Sequence, residues 1–364
     1  MVKFKIALSI VVVGLLYFGY QARVSEKSFH NTLALNELSE PLRSFVLNVK
    51  SQAHGSFNQP WLIVKITKNA ANFYTNINPQ NTYKLKADYN QRVNTMREFI
   101  AKIQHNHKKK LPIGEYIISL REGLNYYSTY PVLAFSSTVQ LVQQGHIVLM
   151  PDPDAIRGYD QLRVTVDHEQ QNFPWQRRLD KIFWRGPATG YNNPTIQDIN
   201  TIARIKFMNR TKDLKFVNAG FTDYTQQWPE KFLQQLKKSF PLQPQVTQQS
   251  ALAYKYLINI DGNACTYSPM AFILYSQSLL LKPRSDNIQW YYHKLQPYVH
   301  YLPVAEDFSD LEAKYFWAQS HQSEDRTMAN NAHNLALEVF NEQAIIDATI
   351  EAFTKYKQLA SHIT

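Results

Sequence analysis

The chain has 364 residues, of which 44% are hydrophobic and 13% aromatic. That much apolar surface can be buried, which excludes an intrinsically disordered chain, and the length is sufficient for two domains. A net charge of +10 favours an anionic partner and leaves nucleic acid, an anionic membrane or an anionic small substrate open. The single cysteine, Cys265, excludes an intramolecular disulfide and favours a reducing compartment.

The first predicted element is a membrane helix. Residues 6–20 form an uncharged apolar run, with Lys5 before it and Arg23 after it. The run has the length of a short transmembrane helix or of a signal-peptide core. Because no small-x-small cleavage site follows, we interpret residues 1–23 as the uncleaved anchor of a single-pass membrane protein.

Residues 24–110 are predicted to form a stem and the helical start of the first domain. The apolar residues of 28–52 have helical spacing, which is typical of a stem next to the membrane or, equally, of an ordinary packing helix. Residues 76–83 are rich in Asn and Pro and predict a loop. Residues 89–105 predict an amphipathic helix.

From residue 111 onward, strand-like apolar runs alternate with helical stretches. This alternation predicts a parallel sheet with right-handed crossovers. Strands are predicted at residues 116–120, 132–135, 147–150, 182–184, 214–218, 256–260, 279–282 and 300–304. Helices are predicted between the later strands and in the tail, at residues 196–209, 230–240, 270–276, 290–295 and 311–360. The domain junction is predicted between residues 151 and 174, where prolines and charged residues replace the strand pattern.

Polar groups at two predicted strand ends indicate a binding site. The strand at 256–260 stops at Asp261 and Gly262, where glycine permits a positive φ. The strand at 116–120 is followed by Glu122. Ligands of open α/β sheets bind in the crevice beyond the carboxyl ends of the strands, so these ends predict a nucleotide-type crevice. A glutamate placed there can act as a general base, and a solvated surface carboxylate is the alternative.

Basic side chains gather at the ends of the later strands and in the helix that follows the first of them: Arg185, Arg204, Lys206, Lys282 and Arg284. A diphosphate leaving group needs neutralising charge, which Arg, Lys and helix N-termini supply where no metal is bound. Solvated surface cations are an equally weighted alternative. The pair in Asp152-Pro-Asp154 is similar to pairs that hold a metal–diphosphate, but its flanking prolines favour a plain turn, and we predict no metal site.

Four motifs occur in the order and spacing of one known family. They are Trp184-Arg-Gly186, Tyr254-Lys-Tyr-Leu-Ile-Asn-Ile-Asp-Gly262, Trp290 with Leu295-Gln-Pro-Tyr-Val-His-Tyr-Leu-Pro-Val304, and Asp307-Phe-Ser-Asp-Leu311. Over roughly residues 111–340 the chain thereby resembles glycosyltransferase family 90. That family includes fungal capsule-associated proteins, animal protein O-glucosyltransferases and bacterial lipopolysaccharide-modifying transferases.

The resemblance implies an α/β protein with a GT-B-like fold, two Rossmann-like domains that face each other across a cleft. We predict an N-terminal, acceptor-side domain at 111–173, a C-terminal nucleotide-sugar-binding domain at 174–340 and a C-terminal helix at 341–364. The implied reaction is an inverting, metal-independent transfer of a sugar from a UDP-sugar to a hydroxyl, with no cofactor besides the donor substrate. The predicted acceptor is a glycan or glycolipid such as lipopolysaccharide, with no nucleic-acid partner. The predicted location is the bacterial inner membrane, with the catalytic domain in the cytoplasm, where UDP-sugars are supplied.

The family base is an aspartate after the first-domain strand, preceded by arginine, and this chain has Arg121-Glu122 there. The resemblance therefore implies that Glu122 is the catalytic base. The implied or suggested donor-binding residues are Arg185, Gly186, Arg204, Asp261, the backbone amides from Gly262 through Cys265 to Thr266, His300 and Asp310.

Two positions depart from the family pattern. Pro187 stands where a serine usually follows the Arg-Gly motif. An arginine that often follows the glycine turn and contacts the diphosphate is absent, because the chain reads Thr266-Tyr-Ser-Pro269. The absent arginine, together with the change of the family's aspartate to Glu122, motivates one alternative hypothesis, a catalytically inactive member of the family that acts as a binding protein.

Overall fold

The structure is a computed structural model that describes residues 38–51, 60–68, 70–75, 84–106, 110–190, 197–224, 226 and 228–363. The chain divides into two units, Met1–Leu38 and Ser39–Thr364, and only Leu38 of the first is described. Every described helix and strand lies in the second unit.

The N-terminal half of the second unit is built on a five-stranded mixed sheet. Its strands are β1 (Trp61–Ile66), β2 (Ala71–Thr75), β3 (Gly114–Ser119), β4 (Val132–Ala134) and β6 (Ile147–Leu149). Its helices are α1 (Glu40–Ser51), α2 (Lys84–Asn106), α3 (Val139–Gln143), α4 (Pro153–Arg157) and α5 (Asp160–Glu169). The strand order is β2-β1-β3-β4-β6, with β1 antiparallel to both neighbours and β3, β4 and β6 parallel. We call this half the first lobe.

The second lobe is built on a five-stranded, wholly parallel sheet of order β12-β10-β9-β7-β8. Its strands are β7 (Leu179–Gly186), β8 (Val217–Phe221), β9 (Tyr254–Ile258), β10 (Leu279–Pro283) and β12 (Leu302–Val304). Its helices are α6 (Ala203–Thr211), α7 (Glu230–Ser239), α8 (Ser268–Tyr275), α9 (Leu311–Ser320) and α10 (Gln322–Val339). Short 3-10 turns occur at Gln170–Asn172, Trp175–Arg177, Ile199–Thr201, Gln248–Ala253 and Tyr292–Lys294.

The inner strands β9 and β10 of the second sheet are almost wholly buried, which fits their largely apolar sequences YKYLI and LLLKP. All five residues of β10 are buried. On one face Ile258 and Leu281 pack in a core with Phe207 and Phe221. Helix α8 lies between α5 and α10 and is apolar on all sides, as expected of a helix without a solvent face.

Two further elements join the lobes. A short antiparallel pair links β5 (Ser136–Thr138) of the first lobe to β11 (Asn287–Gln289) of the second. Helix α11 (Glu342–Ala360) then returns the chain to the first lobe, where the Ile117 amide donates a 3.1 Å hydrogen bond to the Tyr356 hydroxyl. Because both links reach the first sheet, they fix the positions of the strand ends of the two lobes relative to each other.

These observations confirm the predicted α/β class with parallel strands. Each of the eight predicted strands overlaps an observed one. Strands β1 and β2 were not predicted, and they extend the first sheet into residues interpreted as stem. The predicted helix at 89–105 lies within α2, which begins at Lys84.

The predicted single-pass membrane localisation is corrected by the structure. Within the described residues, no helix combines the length and the apolar character needed to cross a bilayer. The segment on which the prediction rested, residues 1–23, lies outside the described residues. The described stretch of the predicted stem, residues 38–51, carries α1, a helix of 12 residues.

Candidate active site at the seam between the lobes

The lobes meet where parallel strands of the first lobe end. In the turn after β3, the backbone carbonyl of Glu122 accepts a hydrogen bond from the Tyr267 hydroxyl. After β6, Asp154 Oδ2 accepts a 2.6 Å hydrogen bond from the Ser268 hydroxyl. We call this contact, between residues 264–268 and the turns after β3 and β6, the seam. It lies at the strand edge where open α/β sheets bind ligands.

The turn that carries Glu122 is packed closely against the second lobe. A Cβ on Gly123 would lie 2.8 Å from the Cβ of Ala264, closer than real carbon atoms approach, so only glycine fits. The Glu122 carbonyl also accepts a 3.2 Å hydrogen bond from the Ser136 hydroxyl, which comes from β5. The position of this turn is therefore set by both lobes.

The Glu122 side chain itself remains open to solvent, with 54% of its surface exposed. On one side, Arg92 of α2 lies 3.5 Å from Glu122 Oε1. Arg92 is anchored in turn by a 2.6 Å hydrogen bond from its Nη1 to the Leu120 carbonyl. The carboxylate is thus accessible to a substrate hydroxyl while a fixed cation orients it.

Arg204 is a buried clip between two loops of the second lobe. It is 6% exposed, and its Nη1 donates to the Pro187 carbonyl at 2.9 Å and to Thr189 Oγ1 at 2.7 Å. Its Nη2 donates to the Ile260 carbonyl at 3.1 Å and its Nε to the Asp261 carbonyl at 3.2 Å. These bonds hold the loop after β7 against the loop after β9.

The charge of Arg204 interacts with that of Glu122 across the seam. Burial lowers the pKa of the guanidinium to about 10, and the negative charges of Asp261 and Glu122 partly oppose this shift. Arg204 therefore stays a cation at neutral pH. It is a positive charge close to Glu122, although its N–H groups already donate hydrogen bonds to other groups of the protein.

A glycine is required at position 262 because neighbouring atoms lie too close to leave room for a side chain. Its φ is not positive, since the positive-φ glycines among the described residues are Gly145, Gly158 and Gly190. A Cβ on Gly262 would lie 2.6 Å from Thr189 Oγ1 and 3.1 Å from Arg204 Nη2. A larger residue would therefore push the Arg204 clip apart.

In the described part of the chain, the polar contacts of Arg185 include neither Glu122 nor Gly262. Arg185 Nη1 donates to the carbonyls of Trp184, at 2.9 Å, and Asn218, at 3.0 Å. Its Nη2 donates to Asn218 Oδ1 at 2.8 Å, and the guanidinium lies over the Phe183 ring. Gly186 follows at the end of β7.

The loop after β9 holds the other predicted donor-binding residues. Asp261 Oδ2 accepts hydrogen bonds from the Ser285 hydroxyl at 2.7 Å and from Asn287 Nδ2 at 3.3 Å. Thr266 Oγ1 donates a 2.5 Å hydrogen bond to the side chain of Asn259. Cys265 is buried, which raises the pKa of its thiol. The thiol is therefore a packed, protonated group and no nucleophile.

The last two predicted residues lie apart from the seam. His300 comes before β12, at the end of the strand opposite the seam, and its Nδ1 accepts a 3.0 Å hydrogen bond from the Gln296 amide. Asp310 lies beyond the carboxyl end of β12 and accepts a 2.8 Å hydrogen bond from the Ala305 amide. No contact among the described residues joins either side chain to Glu122 or Gly262.

Asp152 and Asp154 lie at the start of α4 (Pro153–Arg157), where a plain turn was predicted. Asp152 is 1% exposed and caps α4 by accepting hydrogen bonds from the amides of Asp154 and Ala155. Burial raises the pKa of Asp152 to about 7, and the charge of Asp154 adds to the rise. Within the described part of the chain, no three His, Cys, Asp or Glu side chains come together as metal ligands.

Sequence reasoning missed Arg92 and Tyr267. Arg92 belongs to a helix outside the motifs, so its place beside Glu122 left no local signal. Tyr267 lies in the segment where the family's arginine is absent, which marked the position as unusual without indicating its contact.

The family follows from comparison with known sequences. The profile of Glycosyl transferase family 90 matches residues 104–362, most of the chain. The chain therefore belongs to glycosyl transferase family 90, as the four motifs indicated. Its assignment to a bacterial lipopolysaccharide branch stays a prediction.

Curated relatives share about half of the chain. Protein O-glucosyltransferase 2 of Danio rerio is 27% identical over 186 residues, which cover 51% of this chain and 34% of that protein. Protein O-glucosyltransferase 1 of Rattus norvegicus is 24% identical over 222 residues, 56% of this chain and 52% of that protein. Uncharacterized protein 179R of Invertebrate iridescent virus 6 is 26% identical, covering 52% of this chain and 18% of that protein. The chain thus spans at most about half the length of these relatives.

Two solved structures show a distant similarity to this chain. Sucrose-phosphate synthase from Thermosynechococcus elongatus gives a TM-score of 0.41 at 9% identity, covering 82% of this chain and 86% of that one. Anabaena HepE, solved with UDP and glucose, gives a TM-score of 0.37 at 11% identity, covering 64% and 62%. Both likenesses are distant.

Proposed function

We propose that this chain transfers a sugar from a UDP-sugar to a hydroxyl group, with its lobes acting as the two halves of a GT-B enzyme. The observation that carries this proposal is the seam, where the Glu122 turn of the first lobe is bonded to residues 264–268 of the second. A carboxylate and a glycine-containing strand end therefore stand side by side, as a transfer between two bound substrates requires.

Glu122 is the proposed general base. It removes the proton of the acceptor hydroxyl, whose oxygen attacks the anomeric carbon of the donor from the side opposite the diphosphate. The new C–O bond forms as the bond from the sugar to UDP breaks, and UDP leaves with the electron pair. The configuration at the anomeric carbon is inverted. The exposed carboxylate and its neighbour Arg92 support this role, because the base must be reached by the acceptor and held in a fixed position.

The donor diphosphate is proposed to lie beside the loop after β9, which runs from Asp261 to Thr266. Its backbone amides would hold the phosphates, and the Arg204 clip fixes the shape of the loop and adds a nearby positive charge. Arg185 and Gly186, at the end of β7, are proposed to border the same site. No metal ion is required in this scheme, since the protein supplies the positive charge.

The acceptor is proposed to be a glycan hydroxyl, and the net charge of +10 supports an anionic one. Two relatives are named protein O-glucosyltransferases, which supports a protein hydroxyl as the competing acceptor. Both acceptors use the same base and the same donor site, so a direct assay must separate them.

The test is a screen of UDP-sugars against the purified chain. The correct donor should raise the melting temperature, because a ligand that binds the native state stabilises it by about 2.7 kcal/mol at a hundredfold excess over Kd. It should also yield UDP and a product of inverted anomeric configuration when a glycan acceptor is added, with and without EDTA. A chain that binds no UDP-sugar, while binding GDP-sugars or nothing, would contradict the proposal.

A further inference from the structure

Lys282 is a buried cation without an ionic partner. It lies at the carboxyl end of β10 and is 8% exposed. Among the described residues its Nζ has no hydrogen-bond or ion-pair partner, and its polar contact is with the Tyr292 ring, 5.0 Å from the ring centre. It also lies close enough to the Cys265 thiol to oppose the rise in that thiol's pKa. Lys282 therefore stands behind the loop after β9.

The neighbouring strand β9 carries a second buried lysine for comparison, and this one has an ionic partner. Lys255 of β9 is 9% exposed, and its Nζ lies 2.6 Å from Asp180 Oδ1. It also donates a 3.0 Å hydrogen bond to Gln322. Removing an ammonium group from water is unfavourable unless a partner compensates. Lys255 has such a partner, and Lys282 lacks one inside the chain.

Unpaired polar atoms lie in two segments near Lys282, the loop after β9 and the end of β11. Buried side-chain atoms without hydrogen-bond partners include Asn259 Nδ2, Asp261 Oδ1, Gln289 Oε1 and Trp290 Nε1. Two of these residues, Gln289 and Asn259, are linked to the Lys282 site by hydrogen bonds. Gln289 Nε2 donates to the Tyr292 hydroxyl at 3.2 Å and to the Thr266 carbonyl at 3.0 Å, and Thr266 bonds to Asn259.

This concentration points to a ligand rather than to a structural network. Buried polar groups in native proteins are nearly always hydrogen-bonded, so each exception needs an explanation. Here the exceptions include donors and acceptors, and they lie in segments next to a cation. They also lie on the β9 loop and the β11 link, where the second lobe faces the first. A ligand with an anionic group and several hydroxyls has the matching chemistry.

We propose that Lys282 binds the diphosphate of the donor and neutralises the charge that develops as UDP leaves. This inference rests on the proposed function and deepens it. The family's arginine is absent from the segment after the glycine turn, where Tyr267 bonds to Glu122 instead. Lys282, on the adjacent strand β10, supplies a positive charge next to the same loop. An ammonium group can do this without the fork geometry of arginine.

The test compares Lys282→Met, Lys282→Arg and the matched control Lys255→Met, titrated with uridine and UDP. We expect Lys282→Met to weaken UDP binding at least about tenfold, with uridine binding unchanged. Lys282→Arg should retain most of the UDP affinity, and Lys255→Met should leave the ratio of the two affinities unaltered. Unfolding by urea adds a second readout. Lys282→Met should be about as stable as the wild type, because the Lys282 ammonium has no ionic partner in the chain to lose, whereas Lys255→Met should be less stable because it breaks an ion pair.

Two results would overturn the assignment of Lys282 alone. One is wild-type UDP affinity in Lys282→Met. The other is a loss of stability or of uridine binding in Lys282→Met as large as its loss of UDP binding, which would show a structural role. A wild-type chain that binds neither uridine nor UDP would instead overturn the proposed function, and the role of Lys282 with it.

Discussion

The hydroxyl of Tyr267 donates a hydrogen bond to the backbone carbonyl of Glu122, and this single bond connects the second lobe to the turn that carries the candidate base. The family's arginine is absent from this segment, where the sequence reads Thr266-Tyr-Ser-Pro269. In this segment Tyr267 contributes a hydrogen bond to the other lobe. Ser268, the next residue, makes a second bond across the seam, to Asp154.

Replacing Tyr267 by phenylalanine tests whether this bond positions the base. We expect kcat for sugar transfer to fall by about tenfold to a hundredfold, because the Glu122 turn loses its tie to the donor loop, while the affinity for UDP stays the same. The control is Tyr275→Phe, which removes a buried hydroxyl of the same lobe, on α8. Equal kcat values for the two variants would contradict the positioning role.

Arg204 should be a major determinant of stability in the second lobe. Arg204→Met leaves the carbonyls of Ile260 and Asp261 without their donor and separates two loops, so we expect the free energy of unfolding to fall by about 3–5 kcal/mol. Arg185→Met is the comparison, because Arg185 is only partly buried and should cost less. Urea unfolding of both variants measures the difference, and a smaller loss for Arg204→Met would contradict the clip.

Gly262→Ala is expected to disturb the same clip without removing its charge. The added Cβ would meet Thr189 Oγ1 at 2.6 Å and Arg204 Nη2 at 3.1 Å. We expect a loss of about 1–3 kcal/mol in stability and weaker UDP binding, since the loop after β9 must shift. Calorimetric titration with UDP checks the second point. Unchanged affinity would show that the donor does not contact this loop.

Asp152 makes stability depend on pH. Burial raises the pKa of its carboxyl from 3.8 to about 7 in the folded state, with Asp154 adding to the rise. The native state therefore binds this proton more tightly than the unfolded state. The stabilisation is fully present below about pH 4 and is lost as the pH rises through about 7. At pH 8 the ionised, buried carboxylate therefore lowers the free energy of unfolding.

Asp152→Asn keeps an oxygen to cap α4 and removes this charge. We expect the variant to be more stable than the wild type at pH 8, by at most about 4 kcal/mol, with a smaller difference at pH 5. Asp325, whose pKa burial also raises to about 7, still titrates in both proteins, so the informative quantity is the difference between two urea curves. A difference independent of pH would contradict the raised pKa of Asp152.

The sequence predicted the second lobe better than the first. Its strands are largely apolar segments separated by helices, so each strand could be recognised from its own residues. Strand β1, with the sequence WLIVKI, has the same character, but a long polar helix separates it from its partner β3. The three-residue strands β5 and β11 exist because the two lobes pair there, and neither has a periodicity of its own.

The candidate site was predictable where it follows from strand ends. Glu122 and Gly262 lie directly after β3 and β9, and the crevice rule places such residues together. Tyr267, Arg92 and Lys282 act through contacts between elements distant in sequence, which no local pattern encodes. The glycine requirement at Gly262 comes from close packing and not from backbone conformation.

The most direct measurement of the central claim is the transfer rate of Glu122→Gln with the donor found in the screen. Glu122→Asp and Glu351→Gln serve as controls, the first retaining a carboxylate and the second changing an exposed glutamate of α11. We predict that Glu122→Gln lowers the rate by about 10²–10⁴-fold with UDP binding intact, while Glu122→Asp keeps part of the activity and Glu351→Gln keeps all of it. Sugar transfer by Glu122→Gln at the wild-type rate would contradict the account.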